Sequence, residues 1–430
     1  ENNQNDSYSI GRIVTTNLNR IYLPIICYDI GDTGQFLSFN SLQNNNNNNI
    51  NLVAIFGPEH GFRGDKQAET GDKLVYIDNE TKLPVFSAYN MNPQQISKVI
   101  EEMNITAIVV DMQDVGVRLY TFIWTMYDVM VAASQKNVYG QVTFIICDRP
   151  NPLGGLLVNG PMLNISCCRS GYGEYPIPHI HGLTIAELAL LFNQSPEINL
   201  PTDNIIPIKM EHWTRNMIWK DTKLSWIPPS PNIPTPNTAL LYGATVFLEA
   251  TTISEGRGTT TPFEIFGAPF LNAIDVAERL NSDFKCSSTS SAFRSAYYQP
   301  TFSKYNGTTI AGAQWVHDSL NCQQSQIYED FDIIENDKNT YKLQSTKQNN
   351  IFLDGTRILY ALKNLSNPPT SFQWDGSWFG HPGTELIDQY AGTPIYREML
   401  DNGNTPDEIM EYFKNDELLF QKTRKSILLY

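Results

Sequence analysis

The sequence predicts an α/β fold in two domains: a Rossmann-like N-terminal domain around a parallel sheet and a smaller α+β C-terminal domain, with the active-site cleft between them. Three observations predict it. Short apolar, β-rich runs alternate with helical patterns through the first half of the chain. The length of 430 residues exceeds one ordinary core. The segment Trp226 to Pro236 carries five prolines and no periodicity, which marks a crossing between domains expected at residues 1–228 and 229–430.

Strands of the first domain are expected at Ile10 to Thr15, Ile50 to Phe56, Leu83 to Ser87, Ile105 to Asp111 and Gln141 to Cys147. Between them, Asn92 to Asn104 reads as a helix with Asn92 as N-cap and Pro93 at the first helical position, and Thr121 to Asn137 as an amphipathic helix. Thr184 and Glu187 make a capping box that starts a helix running to Asn193. Asn44 to Asn49 is a polar homopolymer with no face to bury, hence a surface loop. Beyond the prolines, helices are expected at Asp354 to Asn364, Thr393 to Asn402 and Thr405 to Asp416, the last with Pro406 and Glu408 marking a capped start.

Composition excludes several classes. With 30 Lys and Arg against 45 Asp and Glu the formal charge is −15. That leaves no basic stripe for nucleic acid or an anionic membrane, although single arginines can still hold a small acid. No run of about 18 apolar residues occurs, so no membrane span is expected. The start at Glu1 suits a mature chain without its signal peptide, hence a secreted, lysosomal or periplasm-like location, and equally a trimmed chain. Six cysteines are too sparse for a disulfide-built scaffold; Cys147 is expected as a buried thiol, and Cys286 with Cys322 is a candidate bridge. The glycosylation sequons are no more frequent than the Asn, Ser and Thr content predicts by chance.

Three expected strands end in dense polar clusters: Gly57 to Gly64, Asp111 to Tyr120, and Asp148 to Pro152. In open α/β sheets the carboxyl ends of strands open onto a shared crevice, so these clusters are expected to converge, with Ser254 to Thr260 as a fourth. No GxGxxG, GxxxxGK[ST] or GxSxG is present, so no dinucleotide or nucleotide cofactor is expected. His60, His179 and His181 lack a matched ligand spacing such as HExxH, and no metal is expected.

The segments GPEHGFRGD, QDVGVRLYTFIWTM, DRPNPLGG, PIPHIHGLT, PSPNIPTPNTALLYG, SEGRGTTTPFEIFGAP and GTPIYREMLDNG, in this order, resemble the successive motifs of the NamZ-type exo-β-N-acetylmuramidases, glycoside hydrolase family 171. The resemblance runs from about Asn51 to the C-terminus. It implies release of N-acetylmuramic acid from the non-reducing end of peptidoglycan-derived oligosaccharides or muropeptides, without metal or organic cofactor. Two positions depart from the family pattern: Asn159 where a Glu precedes Gly160-Pro161, and Ile180 where an Arg precedes His181. Altered specificity is the expected consequence. The rival readings are a related N-acetylhexosaminidase and a non-catalytic protein that captures cell-wall fragments.

Glycoside hydrolysis needs a carboxyl group to protonate the leaving oxygen and a second group to stabilise or attack the oxocarbenium-like centre. Glu59 and Glu255, both in Gly-rich loops, are the candidates, with Glu255 expected to serve the site and not the core. Asp114 is the alternative second carboxylate, or else the bidentate partner of Arg118, the reading we favour. The lactyl carboxylate of muramic acid calls for arginine, and Arg63, Arg118 and Arg257 fall in the motifs. His60, Tyr120, Arg149, His181, Asn232 and Thr259 complete the candidate substrate-binding set.

Overall fold

The structure is a computed structural model that describes residues 25–30, 50–67, 73–284, 291–317 and 350–430. The expected strand Ile10 to Thr15, the Asn-rich loop and the Cys286–Cys322 bridge lie outside the described residues. The architecture is mixed α/β, with parallel and antiparallel strands. The chain divides into two compact units, 1–112 with 125–148 and 192–209, and 113–124 with 149–191 and 210–430.

The first unit is built on a seven-stranded sheet. Its strands are β1 (Ile25–Ile30), β2 (Ile50–Gly57), β3 (Val75–Ile77), β4 (Pro84–Ser87), β5 (Ala107–Val110), β6 (Thr143–Cys147) and β9 (Ile205–Ile208), in the order β3-β4-β2-β1-β5-β6-β9. β2 with β4, β5 with β6 and β6 with β9 run parallel. The expected all-parallel sheet needs correction, because β1 lies antiparallel between β2 and β5, and β3 is antiparallel to β4. A strand antiparallel to its successor needs only a reversal of the chain, not a crossover helix. The helix Pro93–Glu102 starts as expected: Asn92 accepts from the Gln95 N–H and Gln95 reaches back in a capping box. Ile55, Phe62, Val85, Val109 and Ile145 form one buried cluster, so Phe62 anchors the loop after β2 to the sheet. Cys147 is half-buried rather than buried, because it closes β6 where the strand leaves that core.

The second unit holds the hairpin β7 (Asn159–Met162) and β8 (Pro178–Ile180), and an antiparallel sheet of β10 (Ile265–Ala268), β12 (Ile310–His317) and β11 (Ser291–Tyr298). Cys167 and Cys168, adjacent in sequence, are joined by a disulfide. The helices Ile185–Phe192, Ile351–Leu365, Pro394–Asp401 and Pro406–Thr423 lie where the sequence puts them, and Thr405 with Glu408 closes a capping box. At the first of these, Glu187 does more than cap. Fully buried, it accepts from the Thr184 N–H at 3.1 Å, the Arg215 guanidinium at 2.7 Å and the Leu429 N–H at 2.8 Å.

Removing that carboxylate takes the counter-charge from the largely buried Arg215, which keeps only the carbonyls of Gly155 and Gly182, and takes this acceptor from the Thr184 and Leu429 N–H groups. We expect Glu187→Ala to lower unfolding free energy by about 3–5 kcal/mol. Breaking the exposed Lys98–Glu102 pair should cost less than about 1 kcal/mol. Denaturant titration of both variants checks the contrast; equal losses would refute it.

Candidate active site

The loop after β2 carries Glu59, His60 and Arg63. Gly61 and Gly64 take positive φ, which lets the chain double back so that Lys66 N–H bonds the His60 carbonyl at 3.2 Å. The His60 ring donates from Nδ1 to the Lys66 carbonyl at 3.0 Å, since a carbonyl only accepts. Glu59 is half-buried at the start of this loop. Arg63 lies over the Phe62 ring and binds both Asp78 oxygens, at 2.9 and 3.1 Å, with Glu80 at 3.3 Å. Partial burial works against both charges in the pair. The Thr81 N–H and Arg63 nonetheless hold the Asp78 carboxyl down to about 2, and Asp78 raises the Arg63 guanidinium.

In the second unit, the segment from Gln113 and the segment from Arg149 do converge. Gln113 Nε2 donates to the Pro150 carbonyl at 3.0 Å, and the Asn151 side chain packs so closely on Gly116 that a Cβ there would lie 2.4 Å from its Oδ1. Asp114 is buried and accepts from the Gly116 N–H at 2.8 Å, while His181 Nε2 stands 3.3 Å from the same Asp114 oxygen. The Leu183 N–H donates to His181 Nδ1 at 3.1 Å, so the ring proton sits on Nε2, facing Asp114. The other Asp114 oxygen is buried without a hydrogen bond.

The expected Asp114–Arg118 pair is not formed. Arg118 is fully buried and turns toward the second unit's C-terminal helices, where Nη2 donates to the Tyr390 carbonyl at 2.9 Å. Its Nε and Nη1 have no hydrogen-bond partner, and burial pulls its pKa down to about 9. The Gly173 and Gly392 backbones border the guanidinium closely enough that a Cβ at either would approach it within 3.1 Å.

The SEGRG turn is also interior. Glu255 is fully buried, with Arg257 Nε at 3.4 Å and Lys304 Nζ at 3.2 Å, so its side chain lies in the core and not at a surface loop. Arg257 is committed to Glu249 through Nε at 3.1 Å and Nη2 at 2.6 Å, and Tyr390 Oη donates to the same carboxylate at 2.6 Å. Lys304 donates to the carbonyls of Leu248, Glu249 and Ile253. Thr259 Oγ1 closes the turn onto the Gly256 carbonyl. Tyr120 is buried beside Phe122 and Tyr242, Asn232 is buried behind the Ser230 hydroxyl, and Arg149 is half-buried. Sequence reasoning missed Glu249, Lys304 and Tyr390. The one signal was a charge inside an apolar run, Glu249 in Phe247-Leu248-Glu249-Ala250. Among the described residues no group of three or more His, Cys, Asp or Glu is placed to hold a metal ion.

The fold and these motif residues are those of an α/β family of two sequence domains. The chain belongs to the NamZ exo-β-N-acetylmuramidase family: the N-terminal family pattern matches residues 32–237 and the C-terminal pattern residues 240–430. It is 37% identical over 385 residues to the peptidoglycan β-N-acetylmuramidase NamZ of Bacillus subtilis (strain 168), covering 89% of this chain and 81% of that one. Two crystal structures of DUF1343 family proteins from Bacteroides fragilis are similar. One has TM-score 0.70 and 29% identity, covering 92% of this chain and 90% of that one; the other has TM-score 0.61 and 27% identity, covering 90% and 88%.

The two positions expected to depart from the family pattern are neighbours in space. Asn159 and Ile180 face each other in register across the β7–β8 hairpin, and both are buried. Asn159 accepts from the Ile351 N–H, the first of the helix Ile351–Leu365, whose N-cap is Asn350. A buried Glu–Arg pair exchanged at both ends for uncharged residues is close to neutral, whereas losing one end is costly. We therefore expect Asn159→Glu alone to destabilise by about 3 kcal/mol, and Asn159→Glu with Ile180→Arg to recover at least half of that in thermal or urea unfolding. A double variant no better than the single would refute the paired reading.

Proposed function

We propose that the chain is an exo-acting glycoside hydrolase that releases N-acetylmuramic acid from the non-reducing end of peptidoglycan fragments, with Glu59 as general acid. Family membership over nearly the whole chain supports the reaction. The observation that carries the acid assignment is exposure. Of the three nominated carboxyls, Asp114 and Glu255 are buried against His181 and against Arg257 with Lys304, whereas Glu59 is half-buried and reachable. A general acid must touch the leaving oxygen. On this reading residues 1–228 form the Rossmann-like catalytic domain and 229–430 the smaller domain that completes the cleft. Substrates are peptidoglycan-derived oligosaccharides or muropeptides met in a secreted or periplasm-like setting. Glu255 serves as a positioning group for Arg257. Asp114 does the same for His181, and of the candidate sugar-binding set Arg149 and Thr259 are half-buried and reachable, while His60, Tyr120 and Asn232 are buried and support the site from behind.

Glu59→Gln keeps shape and loses the proton. We expect kcat on an unactivated muramyl disaccharide to fall by about 10² to 10⁴ with unchanged melting temperature. Retention of more than about a tenth of wild-type kcat would reject the assignment.

Among the arginines, Arg118 has no acid partner, while Arg63 and Arg257 are each bound to a carboxylate. Arg118 is fully buried beside Gly173 and Gly392, so only an acid that enters that interior space can pair with it; if one does, Arg118→Met should lower kcat/KM for muramic substrates about ten- to a hundredfold more than for N-acetylglucosamine analogues. A threefold or smaller change in that ratio for Arg118, Arg63 and Arg257 variants alike would assign the carboxylate to other groups.

A further inference from the structure

Arg424, the C-cap of the helix Pro406–Thr423, is buried, and its hydrogen bonds go to backbone carbonyls. Nη1 donates to Gly155 at 2.9 Å, Gly182 at 2.8 Å and His181 at 3.4 Å, and Nη2 to Leu156 at 3.4 Å. Arg215 reaches the same place from another segment. Its Nη2 donates to the Gly155 carbonyl at 2.8 Å and to the Gly182 carbonyl, while Nη1 binds Glu187. Two guanidinium groups thus share two carbonyls and one carboxylate. Burial, and then the neighbouring Arg215 charge, pull Arg424 down to about 9, so the fold bears a desolvation cost to keep a second cation there. What that cation does is fix the peptides whose carbonyls it binds.

One of those peptides, Gly182–Leu183, bears directly on His181. In a trans peptide the carbonyl and the following N–H point in opposite directions. Bonds that hold the Gly182 carbonyl toward Arg215 and Arg424 therefore turn the Leu183 N–H the other way, where it donates to His181 Nδ1 at 3.1 Å. Nδ1 then carries the lone pair, and the ring proton lies on Nε2, 3.3 Å from Asp114. Gly182 takes a φ of +57°, and a Cβ there would come within 2.6 Å of Arg424 Nη1, so only glycine lets peptide and guanidinium meet. We propose that Arg424 is a positioning residue of the hydrolytic site: with Arg215 it orients the Gly182–Leu183 peptide and thereby sets the His181 tautomer that faces Asp114. This rests on the muramidase reading and on the place of the Asp114–His181 pair in it.

The test reads tautomer and rate separately. Nitrogen-15 histidine spectra of wild type, with His181 assigned by its loss in His181→Gln, should show Nδ1 bare and Nε2 protonated at the pH of the assay. The opposite tautomer, or a ring protonated at both nitrogens, would overturn the proposal without any further variant. Asp114→Asn should keep the tautomer, because the peptide and not the carboxylate selects it; a switch there would also overturn it. In Arg424→Gln we expect both tautomers, and a kcat for release of N-acetylmuramic acid from the muramyl-glucosaminyl disaccharide about ten- to a hundredfold lower, with KM within about twofold. Arg424→Lys, which keeps a charged donor, should restore the single tautomer and most of the rate, and it decides the matter if Arg424→Gln does not fold. Against a His181→Gln background, Arg424→Gln should cost no further rate. A fall in kcat with the tautomer unchanged, or an equal fall in that background, would make Arg424 a structural brace. If wild type releases no N-acetylmuramic acid, the muramidase reading itself fails and the positioning role with it; the other adverse outcomes leave that reading intact.

Discussion

The second unit depends on burying two carboxylates and two cations together. Glu249, Glu255, Arg257 and Lys304 are nearly or wholly removed from water, and each charge alone would cost several kcal/mol to desolvate. Burial pushes Glu249 up and Lys304 down, and their opposite charges, with the Tyr390 hydroxyl on Glu249, oppose this. The arrangement is viable because the remaining donors are also used. Lys304 takes three backbone carbonyls from residues 248–253, just before the SEGRG turn, and Tyr390 adds a neutral hydrogen bond to Glu249. The network therefore holds chain 248–258, the helix Glu385–Ala391 and the segment of Lys304 in one register.

That register explains the glycines of the motif. Gly256 and Gly258 sit at φ of +86° and +79°, and a side chain at either would run into the backbone of Ile265 or of Phe302. The turn has to be this tight for Glu255 and Arg257 to point inward from positions two apart. Tyr390 then links two motifs that are far apart in sequence: its hydroxyl holds the carboxylate that holds Arg257, and its carbonyl holds Arg118.

Local signals in the sequence were read correctly where one residue's chemistry decides the outcome. Asn92-Pro93, Thr184 with Glu187, and Thr405-Pro406 with Glu408 each mark a helix start, because the orphan N–H groups must find an acceptor within three residues. β1 was missed as a strand altogether, and its antiparallel direction would not have been legible, because an apolar run carries no information on which neighbour it pairs with. Partner choice among charges was also hidden. Asp114 and Arg118 are four apart, a spacing that suggests a pair, but Gly116 turns the chain between them and their partners come from His181 and Tyr390.

The same distinction decides which cation is available to an acidic ligand. An arginine already bound to a carboxylate must give up that interaction to take another, and the released carboxylate is left unpaired. Arg63 and Arg257 stand in that position, each with a carboxylate at 2.9 Å or closer. Arg118 does not, since its one bond goes to a neutral carbonyl and its depressed pKa records burial without a counter-charge. An anion reaching Arg118 would relieve a cost the folded protein already bears, so binding there adds to stability instead of exchanging one ion pair for another. Among the described residues the cations most heavily bonded are thus structural ones, whereas Arg118 carries a buried charge with no carboxylate beside it.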